Sequence, residues 1–328
     1  MKHGAESASV PLFVPWFRNP HLQTTLAHFW PAGLDERRFP VERKLYRTEA
    51  EVEVLVESQR PAHPPEGEIV LVHGLESSSQ AGYMKSMARA ALEAGYAAHR
   101  LNLRSCGGTE AWSKTAYHSG LTTDLLAVLR QLAGQGREPL YVAGFSLGGN
   151  IALKLAGELG EEARGLLAGV AALSTPIDLT ESVRRLEQPQ NRIYERRFLR
   201  RLKNRIRAQN RLRPELFPID GLDGAGSLRE FDERFTARYF GFRGAAEYYA
   251  TQSACHFLDG IRVPVLLVQA KDDPVIPFAI FERPEALRNP HIELLAVEHG
   301  GHLGFVARRG PRFWPGAVVM EWIRRQPG

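Results

Sequence analysis

Cysteine is nearly missing from this sequence, with only Cys106 and Cys255 among 328 residues. Two thiols build neither a disulfide framework nor a cysteine-based zinc site, and no other side chains gather at metal-ligand spacing. That usage fits a reducing cytoplasm. Long apolar runs are missing too: none approaches the ~20 residues that span a bilayer, and Met1 to Val10 lacks the apolar core of a secretory signal. The chain reads as soluble, or attached only to a membrane surface. It also lacks internal repeats and low-complexity linkers, so a single domain over 1–328 is expected, carrying an insertion.

Charge is present but uneven. The formal net charge is +5. Within 184–213, twelve basic residues stand against two acids, Glu187 and Glu195, an excess of ten that leaves the rest of the chain net acidic. Such a block attracts phosphate in nucleic acid, a lipid headgroup or an anionic substrate, or it is a solvated helix face. Nucleic acid is disfavoured, because stacking aromatics do not interleave with most of the arginines and no recognised module is present. Peripheral contact with an anionic membrane stays open. Nothing in the sequence fixes the oligomeric state.

From Glu68 onward, apolar strand patterns alternate with amphipathic helix patterns. Strands are expected at 68–72, 96–103, 140–145 and about 167–173, and helices at 80–93, 118–132 and 147–157. This order implies right-handed crossovers and a mainly parallel sheet with helices on both faces. After Thr175-Pro176 the rhythm stops. About 176–259 is charged, helical in pattern and without an apolar strand; strand 263–268, a helix near 278–287, strand 291–297 and a last helix within 311–325 then follow. An insertion between the sixth and seventh strands, lying as a helical cap over the carboxyl edge of the sheet, accounts for the break. Stretches 38–46 and 51–58 read as a hairpin extending the sheet, behind an N-terminal arm at 1–37.

The chemistry concentrates at Gly144-Phe145-Ser146-Leu147-Gly148, a G-x-S-x-G pattern directly after a strand and before a helix. A serine on so sharp a turn has a strained backbone, and glycines two residues either side avoid collision with strand and helix. Partners are expected on loops after strand carboxyl ends. One such loop holds Asp272-Asp273-Pro274 and the next holds His299-Gly300-Gly301-His302, giving the chain order Ser, Asp, His. Ser146 is the candidate nucleophile, His302 the base and Asp273 the acid that orients it; Asp272 reads as a turn cap and His299 as a structural residue at a strand end. Backbone N–H groups of Leu147 and of Leu75, in the loop opened by His73-Gly74, are the candidate oxyanion donors. Such chemistry uses no metal or organic cofactor. Cys106 reads as a packed thiol.

These residues resemble the α/β-hydrolase superfamily and, within it, the YheT-like family related to mammalian ABHD-type lipid hydrolases. The more specific marks are Asn19-Pro20-His21-Leu22-Gln23-Thr24, His73-Gly74-Leu75-Glu76, 102–108, the elbow at 144–150, Asp272-Asp273-Pro274 and 300–305. The resemblance implies an α/β-hydrolase fold with Ser146, Asp273 and His302 as charge-relay residues. Pro20 and Ser105 depart from it, standing where similar sequences have glycine. Asn19-Pro20 reads as a turn starter, with His21 and Gln23 anchoring the arm by hydrogen bonds or lining an acyl pocket. The expected activity is serine-dependent cleavage of a carboxylic ester, of short or medium acyl chain or of a lipid, on a small-molecule substrate. The alternatives are an acyltransferase or thioesterase with the same serine, or a catalytically silent binder on the same scaffold.

Overall fold

The computed structural model describes residues 11–29 and 32–326; the first ten residues, read above for a leader segment, lie outside them. Helix α1 (Pro20–Phe29) comes first, followed by β1 (Glu42–Glu49) and β2 (Val52–Gln59). Then β3 (Glu68–Val72), α2 (Gly82–Glu93), β4 (Ala97–Leu101), α3 (Thr123–Ala133), β5 (Leu140–Phe145), α4 (Leu147–Leu159) and β6 (Gly169–Leu173) alternate. Between β6 and β7 (Val265–Ala270) lie α5 (Leu179–Leu186), α6 (Arg192–Leu212), α7 (Leu228–Phe231), a π-helical turn (Asp232–Thr236), α8 (Ala237–Phe240) and α9 (Ala245–Gln252). The chain closes with α10 (Pro284–Arg288), β8 (Ile292–Val297) and α11 (Trp314–Arg324).

Eight strands form one sheet in the order β1-β2-β4-β3-β5-β6-β7-β8. The hairpin β1/β2 and the β2/β4 pair are antiparallel, and every pair from β4 through β8 is parallel. Alternation along β3 sends Ile69 and Leu71 to one core with Met87 of α2 and Val319 of α11, and Val70 and Val72 to the other with Val128 of α3 and Ile151 of α4. Both faces are therefore covered, and the carboxyl ends of β5, β7 and β8 stay free to carry loops. Among the described residues no helix is long and apolar enough to cross a membrane.

Three expectations shift. Strand β1 begins at Glu42 because Pro40 has no N–H to give a ladder. The helix expected from 118 begins at Thr123. His118, Ser119 and Gly120 instead form a loop, held where Ser119 N donates to the Tyr248 hydroxyl and Asn150 Nδ2 donates to Ser119 O. Asn19-Pro20 opens a helix: the Asn19 side chain accepts from His21 and Leu22 N–H, and Pro20 takes the first helical position, where its missing N–H costs nothing.

Candidate active site

Ser146 sits between β5 and α4 with φ of 51° and ψ of −121°, a left-handed backbone rarely adopted by a residue with a side chain. Its N–H donates to Leu173 O, pinning the turn to β6. A Cβ at Gly144 would strike the Gly148 carbonyl, and one at Gly148 would strike the Val72 carbonyl. Those clashes are why the pattern needs glycine there.

The loops after β7 and β8 meet this turn. His302 Nε2 lies 3.1 Å from Ser146 Oγ, and His302 Nδ1 lies 2.9 Å from Asp273 Oδ2. The carboxylate only accepts, so Nδ1 carries the proton and Nε2 faces the serine hydroxyl as acceptor. Asp273 is buried and fixed: Oδ1 accepts from Val275 and Ile276 N–H, and Oδ2 also accepts from Gln269 Nε2. Asp272 points elsewhere. Its Oδ1 accepts from Gly300 and Gly301 N–H and its Oδ2 meets half-exposed His299, so it caps the histidine loop from outside instead of its own turn.

The N-terminal segment completes that loop. Buried Gln23 donates through Nε2 to Gly304 O and Val306 O, and Thr24 Oγ1 accepts from His302 N–H. His21 Nδ1 reaches the Tyr194 hydroxyl of α6 at 2.9 Å. The anchoring expected of His21 and Gln23 is therefore found: Gln23 holds the loop that presents His302, and His21 reaches α6. None of the arm's described residues lines the cavity above Ser146.

Leu75 and Leu147 flank the serine, and among the described residues no group accepts from either N–H. The Leu75 loop is built from buried groups. Leu103 N donates to His73 Nε2, so His73 carries its proton on Nδ1 and donates to Gly74 O; burial lowers its pKa from 6.5 to about 4 and keeps it neutral. Glu76, at φ of 52°, donates its N–H to the Tyr117 hydroxyl. Its carboxylate receives Tyr117 and Arg205 Nε, and its carbonyl receives Arg201. Arg201 and Arg205 both belong to α6, so the cap helix grips this loop directly. Sequence reasoning missed the Arg205–Glu76 pair, 129 positions apart.

The remaining motif at 102–108 is architectural. Asn102 accepts from Ser79 N, and buried Arg104 pairs with Asp124 and Glu49. Ser105 has φ of 62°, a left-handed geometry that glycine meets without strain. Cys106 is buried, and burial pushes its thiol pKa up, away from the nucleophilic range.

A cavity of about 750 Å³, counting its open mouth, lies over Ser146. Its walls are largely apolar, with Val183 and Leu186 of α5, Phe198 and Leu202 of α6, and Val275 and Ile276 after β7.

Fold and site together define a hydrolase scaffold with a strained serine turn beneath the helices that lie between β6 and β7. The family model for the alpha/beta hydrolase fold matches residues 68–308, and the chain belongs to that family. On its YheT-like branch stands YheT of Escherichia coli (strain K12), which bears an esterase name and is 32% identical over 329 residues, spanning 97% of this chain and 94% of the relative. Phospholipase ABHD3 of Mus musculus is 30% identical over 246 residues, 74% of this chain but 59% of that protein. Among solved structures, the esterase Pf2001 of Pyrococcus furiosus superposes with a TM-score of 0.59 at 17% identity, covering 97% of this chain and 100% of that one. That last likeness is one of fold.

Proposed function

We propose that this protein hydrolyses carboxylic esters through an acyl-enzyme on Ser146. The observation that carries the reading is the continuous Ser146–His302–Asp273 hydrogen-bonded chain, at 3.1 and 2.9 Å, opening into an apolar cavity. Ser146 Oγ attacks the ester carbonyl as His302 Nε2 takes its proton. The developing oxyanion is received by the N–H groups of Leu75 and Leu147, and His302 then delivers the proton to the leaving alcohol. Water, activated by the same imidazole, releases the acid. Asp273 holds the tautomer and stabilises the imidazolium. An esterase name and a phospholipase name among the relatives support an ester substrate with an apolar part.

The outer surface supports an extension of this reading, that the ester is met at an anionic lipid surface. On α6, Arg192, Arg196 and Arg200 are exposed, and among the described residues none has a carboxylate within ion-pair distance. Exposed Ile193 lies on the same helix, and Leu22 and Phe29 are exposed on α1, which meets α6 through His21–Tyr194 and His28–Arg197. Basic and apolar groups sharing one surface suit interfacial binding.

The test of the central reading is fluorophosphonate labelling combined with hydrolysis of p-nitrophenyl butyrate. Wild type is expected to label and to turn over. Ser146→Ala is expected to do neither, with a loss of about 10⁴-fold or more. A folded Ser146→Ala protein that keeps most of the wild-type rate refutes the mechanism.

A further inference from the structure

We propose that Asp232, on the wall of the cavity over Ser146, recognises a hydroxyl group carried by the ester substrate itself, with His118 as a second polar group lining the same cavity. The inference rests on Ser146 being the nucleophile and adds what else the substrate must contain.

Asp232 opens the π-helical turn between α7 and α8 and lines the same cavity as Ser146. A π turn widens a helix by one residue and is often found at functional sites. Asp232 and Thr236 both line the cavity wall. Thr236 Oγ1 donates to Asp232 Oδ1 at 2.6 Å and the Tyr249 hydroxyl donates to Oδ2 at 2.7 Å. A carboxylate has about four acceptor positions, so two bonds leave room for a further donor. Among the described residues no cation stands within ion-pair distance of Asp232. A carboxylate without an ion-pair partner on a largely apolar cavity wall is costly unless something completes it, and burial raises its pKa from 3.8 to about 6.

His118 supplies the complementary half. It lines the cavity, and its ring meets Tyr248 edge-on at 5.8 Å. Gly120 N donates to His118 Nδ1, which places the proton of the neutral ring on Nε2. Burial drives the His118 pKa down to about 3, so the neutral form persists. Among the described residues nothing accepts from Nε2. The cavity therefore offers an anionic acceptor and a neutral donor, and a substrate hydroxyl can donate to the first.

A cationic substrate group fits less well. The guanidiniums of Arg205 and Arg229 already act on Asp232, Arg205 from the cavity wall and Arg229 from beside the Tyr249 ring. Both are occupied, by Glu76 and Glu187, and both would repel a second cation. A neutral hydroxyl meets no such opposition.

The hydroxyl can belong to the acyl chain or to the alcohol, and two substrate series separate these. In one, p-nitrophenyl alkanoates of graded length are compared with their ω-hydroxy counterparts. In the other, alkyl butyrates are compared with monobutyrylglycerol. Wild type is expected to prefer the hydroxylated member by about tenfold or more in kcat/KM in one series, the scale of a hydrogen bond to a charged group. Asp232→Asn is expected to bring that ratio to within about threefold of unity, with fluorophosphonate labelling of Ser146 reporting that the variant is folded. If Asp232→Asn does not fold, Tyr249→Phe serves instead: it leaves Oδ2 more open and is expected to raise the ratio. No preference in either series, an unchanged ratio in Asp232→Asn, or an unchanged ratio in Tyr249→Phe overturns the proposal. Wild type inactive on every ester overturns the hydrolase reading as well, an outcome distinct from activity without preference.

Discussion

Arg205→Met removes the cation through which α6 grips the loop of Leu75, the candidate oxyanion donor, and its cost follows from burial. The Arg205 and Glu76 side chains are 7% and 5% exposed, and Arg205 Nε lies 2.7 Å from Glu76 Oε1. Deleting one partner of such a pair strands the other as a buried charge, at about 3–5 kcal/mol. Tyr117 still donates to Glu76, so the lower end applies. Catalysis suffers separately. Leu75 precedes Glu76, and a displaced oxyanion donor lowers kcat by about 10²–10³. Because Arg201 still holds the Glu76 carbonyl, a loss of roughly 10–10² in kcat is expected, with little change in KM. Denaturant unfolding and p-nitrophenyl butyrate kinetics measure both effects. Glu76→Gln in the same protein removes the stranded charge, so the double variant is expected to be more stable than the sum of the single losses implies. Additive losses, or an Arg205→Met protein with wild-type kcat, refute the idea that the cap holds this loop.

Asp273→Asn is expected to lower kcat at least ~10²-fold more than Asp272→Asn, since only Asp273 meets His302; steady-state kinetics of the two variants decide it, and the reverse order assigns the acid to the wrong residue. Stability is expected to fall on acidification from about pH 6.5 toward 4. His73 and His118 have folded pKa values below their unfolded one, so the unfolded chain binds more protons in that window and stability present above pH 6.5 is lost as pH drops. Asp232, with a folded pKa raised to about 6, works in the opposite direction below pH 6 and offsets one histidine. A net slope on the order of 1.4 kcal/mol per pH unit remains, and urea titrations giving flat or rising stability between pH 6.5 and 4.5 contradict it. Vesicle co-sedimentation at low and high salt compares wild type with Arg196, Arg197, Arg200 and Arg201 changed to glutamine. Wild type alone is expected to bind anionic vesicles at low salt, and equal binding by both proteins, or by neither, removes the membrane extension.

The elbow, the order Ser, Asp, His and the α/β rhythm were legible because each is local: a turn that needs glycine, an acid or a histidine just after a strand, an apolar period within one element. What the sequence hid depends on distant partners. Helix α1 was masked by reading Asn19-Pro20 as a turn, although an asparagine cap followed by proline also starts helices. His118 and Ser119 were absorbed into a helix that Gly120 postpones, which removed two cavity residues from view. Asp272 was legible as a cap, but the loop it caps lies 28 positions away. The basic block was read as surface, and much of it is. Yet Arg205 is turned inward by the helical period of α6, and no charge count separates it from Arg200 on the opposite face.

The clamp that Gln23 and Thr24 place on the histidine loop ties together residues 278 and more positions apart. The family match begins at Glu68, after the clamp has ended. A fragment cut to that boundary keeps Ser146, Asp273, His302 and every parallel strand, and loses the side chains that bond the His302 loop. Here the outline by which the family is recognised and the outline of the working machine are different, and the difference lies at the chain's first helix.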